Sequence, residues 1–506
     1  MRLKWTWLAM LMALIVTVHA NAAGAEQVQA HAAAGILPVP PSTLSDVVKA
    51  FVKVPLGRIA LTHVRVIDGT GAPAQNDRTL LIDGNRIKAV NTGTEAVPDG
   101  YTIIDANGKS VMPGIVGMHD HQFYIARPNL DDSGHSDSPL MIPQMAFSSP
   151  RLYLANGVTT LRTTGSVEPY TDLNVKRAID AGTLPGPHMD VTGPYLEGAS
   201  SPFIQMHPLD GVADTVRTVN FWADQGVTSF KAYMNITRAE LQAAIKAVHA
   251  RGLKITGHLC AVTYPEAAAM GIDDLEHGFY VNTQNDPGKE PDKCPKSPGE
   301  QTLLNMDPAG ADAKALIATL VAHHVALTST LPVFETGSPT YHGLSPRQLA
   351  FMSDAARTDY QHISALILTR KPERVAVLNK IWANELGLER AFVAAGGLLI
   401  AGPDPTGGGQ VIPGFGNHRA LELLVEAGFS PLEAIRIGTL NGATYLGLAD
   451  HIGSIAVGKR ADLVLVNGDP STDINAIEQV ETVFKDGVGY DAAALLGTVK
   501  GRYGQY

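Results

Sequence analysis

Val227-Thr228-Ser229-Phe230-Lys231-Ala232-Tyr233 leads through a short turn into Thr237-Arg238-Ala239-Glu240, then Leu241, Ala244, Ile245 and Val248. The first run, apolar with β-branched residues, reads as a strand. Thr-x-x-Glu is a capping box, in which each side chain satisfies a free backbone N–H at the start of a helix. Apolar residues at i, i+3, i+4 and i+7 then share one helical face, and Gly252 supplies the stop. Leu253 to His258 is the next strand. Thr263-Tyr264-Pro265-Glu266 opens a short helix ending at Gly271, and Ile272 to His277 is strand-like again. Further along, Leu398-Leu399-Ile400-Ala401 is a buried strand running into Gly402-Pro403-Asp404, and Ser430-Pro431-Leu432-Glu433 opens another capped helix with Pro in its first turn. These repeated β-α units, with no Gly-rich phosphate loop after the first strand, favour a TIM-like (β/α)₈ barrel over a doubly wound sheet. An α/β barrel places its chemistry where strands end and loops begin.

Both ends of the chain have a different texture. Ile59, Leu61, Val64 and Val66 lead to the turn Asp68-Gly69, and Leu80-Leu81-Ile82 is followed by Asp83-Gly84-Asn85, a hairpin-type turn. Near the C-terminus, Gly453-Ser454-Ile455 and Gly458-Lys459 precede the buried strand Ala461-Asp462-Leu463-Val464-Leu465-Val466. Two β segments flanking a long centre suggest one small composite β-sandwich domain, from 57–111 and 446–490, with the barrel over 112–445. Residues 23–56, rich in Ala and Pro, read as a leader arm that packs loosely. Residues 1–22 read as a signal peptide: Arg2 and Lys4 form a positive n-region, Trp5 to Val18 an apolar h-region, and Ala20-Asn21-Ala22 a cleavage pattern. That implies a periplasmic or secreted protein. No other stretch reaches ~18 uninterrupted apolar residues, so no stable membrane span is expected after cleavage.

Of 506 residues 45% are hydrophobic and 17% charged, which excludes wholesale disorder. A net charge of -10 with no basic run excludes a nucleic-acid surface. Only Cys260 and Cys294 occur, so this is no disulfide scaffold, though an oxidising compartment allows one bridge. Cys294 lies in 283–310, a polar, Pro-rich stretch that looks like an insertion after the sixth strand. A bridge to Cys260, two residues past His258, would pin the insertion over the barrel mouth. Two unpaired thiols are the alternative.

Residues suited to metals fall at the strand ends. In His119-Asp120-His121 the two imidazoles share one side of a strand. Lys231 ends the Phe230 strand, with Tyr233 two residues on. His258, His277 and Asp404 end the later strands. Four His and one Asp are ligands for zinc and related divalent ions. A lone His-x-His or a strand-end His is usually structural, but five such stations in order, each closing a β-α unit, make a metal site.

Val111-Met112-Pro113-Gly114-Ile115-Val116-Gly117-Met118-His119-Asp120-His121 resembles the first-strand signature of the amidohydrolase superfamily. Phe230-Lys231, Thr256-Gly257-His258, Glu276-His277-Gly278 and Gly402-Pro403-Asp404 match its later stations in order. The segment His418 to Gly428, Ser430-Pro431-Leu432-Glu433-Ala434 and the run Gly453 to Leu463 are similar to the imidazolonepropionase and metallo-dipeptidase branch. The resemblance covers about 57–490. It implies a CO₂-derived carbamate on Lys231 bridging two divalent metal ions, zinc foremost. His119, His121 and Asp404 would hold the buried ion, and His258 and His277 the exposed one. Water activated between them would cleave the substrate, with Asp404 relaying its proton to the leaving amine. Tyr233, on the same side as Lys231, would hydrogen-bond the oxyanion or else is a packed aromatic. Where many relatives carry an Asp after the second strand, this chain has Thr163-Thr164-Gly165, a departure that bears on the loop and not on the ligands.

The substrate that this implies is a linear amide, a dipeptide or N-acyl amino acid; the alternative is a cyclic amide, lactone or imidazolone on the same scaffold. A non-enzymatic metal or solute binder needs neither the lysine nor a proton-handling Asp404. The expected partner is a small molecule or short peptide, and a homo-oligomer is compatible with the sequence. Arg162, at the end of the second strand, is a candidate for a substrate carboxylate or a structural ion pair. His188 is a weak rim candidate, and His323-His324 read as structural.

Overall fold

The computed structural model describes residues 35–123, 140–199, 201, 203–406 and 409–505. The expected signal segment lies outside them, as does the start of the arm. In chain order the strands are β1 (Val52–Val54), β2 (Arg58–Val66), β3 (Gln75–Asp83), β4 (Arg86–Thr92), β5 (Thr102–Asp105) and β6 (Lys109–Pro113). There follow β7 (Ile115–Asp120), β8 (Val158–Thr163), β9 (His188–Leu196), β10 (Ser229–Ala232), β11 (Lys254–Gly257), β12 (Asp274–Glu276), β13 (Ala326–Ser329) and β14 (Leu399–Ala401). The last are β15 (Leu463–Asn467), β16 (Val480–Lys485) and β17 (Val488–Asp491).

Strands β7 to β14 form one eight-stranded sheet in sequential order, parallel throughout. It curls into a barrel: past β14 the Asp404 N–H donates to the His119 carbonyl of β7 at 3.0 Å. Gly402 makes that closure feasible, because a Cβ there would fall 2.1 Å from the His119 nitrogen. The expected helix after β10 spans Arg238–Ala250, capped reciprocally by Thr237 and Glu240, with Leu241, Ala244, Ile245 and Val248 buried. Thr263 with Glu266 and Ser430 with Glu433 cap theirs the same way. Burial of one apolar stripe per helix against the barrel builds a single continuous core.

The remaining nine strands form the composite β-sandwich domain, in order β1-β17-β16-β15-β6-β2-β3-β4 with β5 on β2. β15 from the C-terminal end pairs with β6 from the N-terminal end, Leu465 opposite Val111. Alternating inward residues such as Ile59, Leu61, Leu80, Ile82, Leu463 and Leu465 make its core. Residues read as a loose arm are partly built in: β1 pairs with β17, and Ile36 and Leu37 are buried against Met118 and Ile400 at the barrel. Among the described residues no helix is long and apolar enough to cross a membrane.

Candidate metal centre and active site

The repeating unit puts the seven candidate residues together. His119 is on β7 and His121 one residue past its end, both facing inward. Asp120 between them turns away, accepting a hydrogen bond from Asn417 Nδ2 at 3.2 Å. Lys231 is on β10, Tyr233 just past it, and His258, His277 and Asp404 follow β11, β12 and β14. All seven line one cavity of about 240 Å³. A larger cavity of about 1050 Å³, bounded by Tyr341, Trp382 and Arg419, touches none of them.

The two Asp404 carboxylate oxygens face different imidazoles. Oδ1 lies 3.2 Å from His121 Nε2 and 3.6 Å from His119 Nε2, whereas Oδ2 lies 3.9 Å from His277 Nδ1. Lys231 Nζ is 3.4 Å from His119 Nε2 and donates to the Thr164 carbonyl at 3.1 Å. The His258 and His277 ring centroids are 4.4 Å apart, and Tyr233 sits edge-on to His258 at 5.0 Å.

Burial dominates the electrostatics. It drives His119, His121 and His277 below the usual imidazole range and His258 down to about 3, with the Lys231 charge adding to the effect at His119 and His258. All four rings are therefore neutral near pH 7, the form that binds metals. Burial also lowers the Lys231 amine to about 8, against the pull of Glu276 and Asp404. Burial would raise Asp404, but His119 and His121 outweigh it and hold the carboxyl ionised. Tyr233 is pushed up by burial, so its hydroxyl keeps its proton.

The residues fit a divalent cation site. His119, His277 and Asp404 offer ligand atoms all within 4.8 Å of one another. His119 Nδ1 is taken by Glu276 Oε2 at 2.6 Å and His277 Nδ1 by Thr330 Oγ1 at 2.9 Å. That leaves His119 Nε2 to face Asp404 and Lys231, and the buried His277 Nε2 has no hydrogen-bond partner. Such outer partners fix the ring and raise its basicity. The compact trio cuts across the expected division into a buried and an exposed set, because Asp404 reaches both. His277 and Asp404 also share a strained backbone, with φ of 69° and 51°. Non-glycine residues persist there only where surrounding structure holds them, and they cluster at active sites.

Several partners were not anticipated. Glu276, Thr330 and the Thr164 carbonyl orient the candidate ligands. Glu385, buried on the helix Pro372–Ala394, accepts the Phe279 N–H at 2.9 Å and so fixes the turn after His277. Asp274 and Glu276, two apart on β12, share a face, an arrangement that signals a buried cation.

That cation is Arg162: of its two readings the structural ion pair is the one found, and the carboxylate receptor at the rim is not. Arg162 is 1% exposed within β8. Its Nη2 donates to Asp274 Oδ2 and Glu276 Oε1, both at 2.8 Å, and its Nε to the Met118 carbonyl. His188 is not at the rim either. It begins β9 at the opposite end of the barrel, where Nε2 lies 3.2 Å from Asp486 Oδ2 and 3.8 Å from Asp462 Oδ2. That trio also has metal-like spacing, but Arg460, 2.6 Å from Asp486, and Lys485 already supply positive charge. His323 and His324 are exposed past the helix Ala311–Ala322.

The bridge between Cys260 and Cys294 forms, with Cα atoms 5.0 Å apart. It does not carry the insertion over the site: no residue of 283–310 lines the 240 Å³ cavity. Asp292 instead binds Arg238 beside the helix after β10.

The family model described as "Amidohydrolase family" matches residues 408–489. An adenine deaminase of Paracoccus denitrificans (strain Pd 1222) is 34% identical over 104 residues, 21% of this chain. That stretch spans only 15% of the deaminase's length. Among solved structures, a Xaa-Pro dipeptidase with bound methionine in its active site superposes with a TM-score of 0.63 at 20% identity, covering 86% of this chain and all of that one. Bottromycin amidohydrolase superposes with a TM-score of 0.64 at 19% identity, covering 93% and 96%. Those likenesses show the fold, and residues 408–489 are similar to the amidohydrolase family.

Proposed function

We propose that the protein is a two-metal hydrolase of linear amides, of dipeptidase or N-acyl-amino-acid amidase type. The observation that carries this reading is the buried Lys231 amine, 3.4 Å from His119 Nε2 amid three further imidazoles and Asp404. A protonated lysine has no place between cations. An amine lowered to about 8 is neutral in roughly one molecule in ten at pH 7. The neutral amine is the form that adds CO₂, releasing a proton and becoming an anionic carbamate with two oxygens. A mononuclear deaminase has no use for such a bridge.

His119, His121, Lys231, His258, His277 and Asp404 would hold the two divalent ions, zinc foremost. Such ions supply Lewis acidity, lowering the pKa of a shared water and polarising the scissile carbonyl. Asp404, ionised and facing both halves of the centre, takes the proton of the attacking water and returns it to the departing nitrogen. Tyr233, protonated and at the cavity wall, donates to the oxygen that gains charge. Glu276 and Thr330 keep His119 and His277 in the required orientation. Release into the periplasm or the exterior, where peptides and acylated amino acids arrive, suits such a scavenger, and assembly into homo-oligomers is compatible with it.

The test is a screen of zinc-loaded protein against dipeptides and N-acyl amino acids, scoring released amino acid alongside metal analysis. Two ions per chain and turnover of linear amides are expected. An active Lys231→Ala variant without added short carboxylic acids refutes the bridge. Turnover confined to cyclic amides, lactones or imidazolones moves the substrate to that class.

A further inference from the structure

The cavity over the ligand cluster has two unlike sides. His258, His277 and Asp404, from β11, β12 and β14, make one side polar. Residues of β9 and of the loops after β7 and β9 make an apolar side: Phe123, Ile142, Tyr195, Phe203 and Met206. Phe123 stacks on His121 with ring centroids 4.2 Å apart and planes at 21°, so the wall begins directly against a candidate ligand.

The wall is built, not incidental. Gln205 clamps the backbone of Ile142, accepting its N–H at 2.6 Å and donating to its carbonyl at 2.8 Å. The Ile204 N–H donates to the Leu140 carbonyl at 3.1 Å, and Leu140 bridges Phe203 in parallel register. Two loops from different strands are thus tied together, and the tie aims Ile142, Phe203 and Met206 into the cavity. The cavity measures about 240 Å³. It falls below the ~300–1,000 Å³ usual for drug-sized ligands. One side chain and the scissile amide fill it.

Resting on the amide-hydrolase reading above, we infer that one substituent of the scissile bond carries a single large apolar side chain, aliphatic or aromatic, seated on the Phe123–Ile142–Met206 wall. Charged side chains lose hydration there, because among the described residues Phe123, Ile142, Phe203 and Met206 offer them no charged partner. Apolar contacts of this kind discriminate by roughly 10- to 200-fold in kcat/KM.

Two matched substrate series test the inference. One varies the amino acid X in N-acetyl-X and the other in X-Gly, with Leu, Phe, Met, Ala, Gln, Asp and Lys. At least one series should favour Leu, Phe and Met over Gln, Asp and Lys by tenfold or more, and Met206→Lys should erase most of that preference. Phe203→Asp is the second variant if the first does not fold. Linear amides cleaved with equal efficiency for Leu, Asp and Lys in both series overturn the inference while leaving the amide-hydrolase reading intact. If no linear amide is cleaved, that reading fails and the wall is still tested by calorimetry with free amino acids. Leucine and phenylalanine should then bind at least tenfold tighter than aspartate and lysine, and equal binding overturns the inference.

Discussion

Replacing Arg162 with Met separates the two roles its position allows. The guanidinium is enclosed by Asp274, Glu276, Thr328 and the Met118 carbonyl. Burial opposes its charge, but Glu276 and Asp274 outweigh burial and hold it firmly protonated. The two carboxylates share a face of β12. Even with Arg162 present, burial and the Glu276 charge push Asp274 up to about 7. Methionine fills most of the volume but leaves both acids without a cation. Breaking a buried pair by removing one partner costs about 3–5 kcal/mol, and that loss is expected in denaturant unfolding at pH 8.

The pH dependence makes the prediction specific. Without Arg162 the folded-state pKa of Asp274 rises further above its unfolded value near 3.8. A raised carboxyl contributes its full stability below the unfolded pKa and loses it as pH rises through the folded pKa. The deficit should therefore shrink from pH 8 to pH 5, by at most about 1.4 kcal/mol per unit where one proton is taken up. Glu276 would also orient His119 less well, so metal affinity should fall roughly 10- to 100-fold in a chelator competition. A variant of unchanged stability and metal affinity, with lost preference for dipeptides over their C-terminal amides, would refute this and restore Arg162 as a carboxylate receptor.

Asp404→Asn should keep the fold but lose hydrolysis by several orders of magnitude, since it removes a ligand and the proton relay together; turnover near the parent's would sink both roles. Replacing Cys260 and Cys294 with Ser opens a loop of sequence separation 34, worth about 4 kcal/mol in the chain-entropy model. Because the bridge ties an insertion to one loop, limited proteolysis should cut 283–310 first, with hydrolysis retained. Burial lowers His418 to about 4 from 6.5 while its Nε2 bonds the Asn156 carbonyl. Stability is then full above pH 6.5 and falls toward pH 4, by about 3 kcal/mol at most; His418→Gln should flatten that acid limb in unfolding titrations.

What was legible in the sequence was local. The barrel could be read because each β-α unit carries its own start and stop signals, and Lys231, His258, His277 and Asp404 each close one unit. The same locality explains what was left open or misread. Arg162 ends a strand, which left a rim receptor open beside a structural ion pair, because its partners Asp274 and Glu276 lie 112 and 114 residues away. Their spacing announces a shared face on a buried strand, and two such acids require a cation; only the pairing across the barrel tells which. The insertion 283–310 follows a strand whose end lines the site, so a cap was the natural expectation. Its true position is set by contacts outside that unit, Asp292 with Arg238 and Cys294 with Cys260. Backbone strain was illegible for the same reason. His277 and Gly278 are successive left-handed residues, and the turn they make is held by the Glu385 carboxylate from 106 positions away and by the Thr328 carbonyl. The candidate ligands are thus named by local pattern, while the rigidity that would make them a metal site comes from long-range partners. Substitutions at Glu385 and Glu276 should therefore weaken metal binding although neither residue would touch an ion.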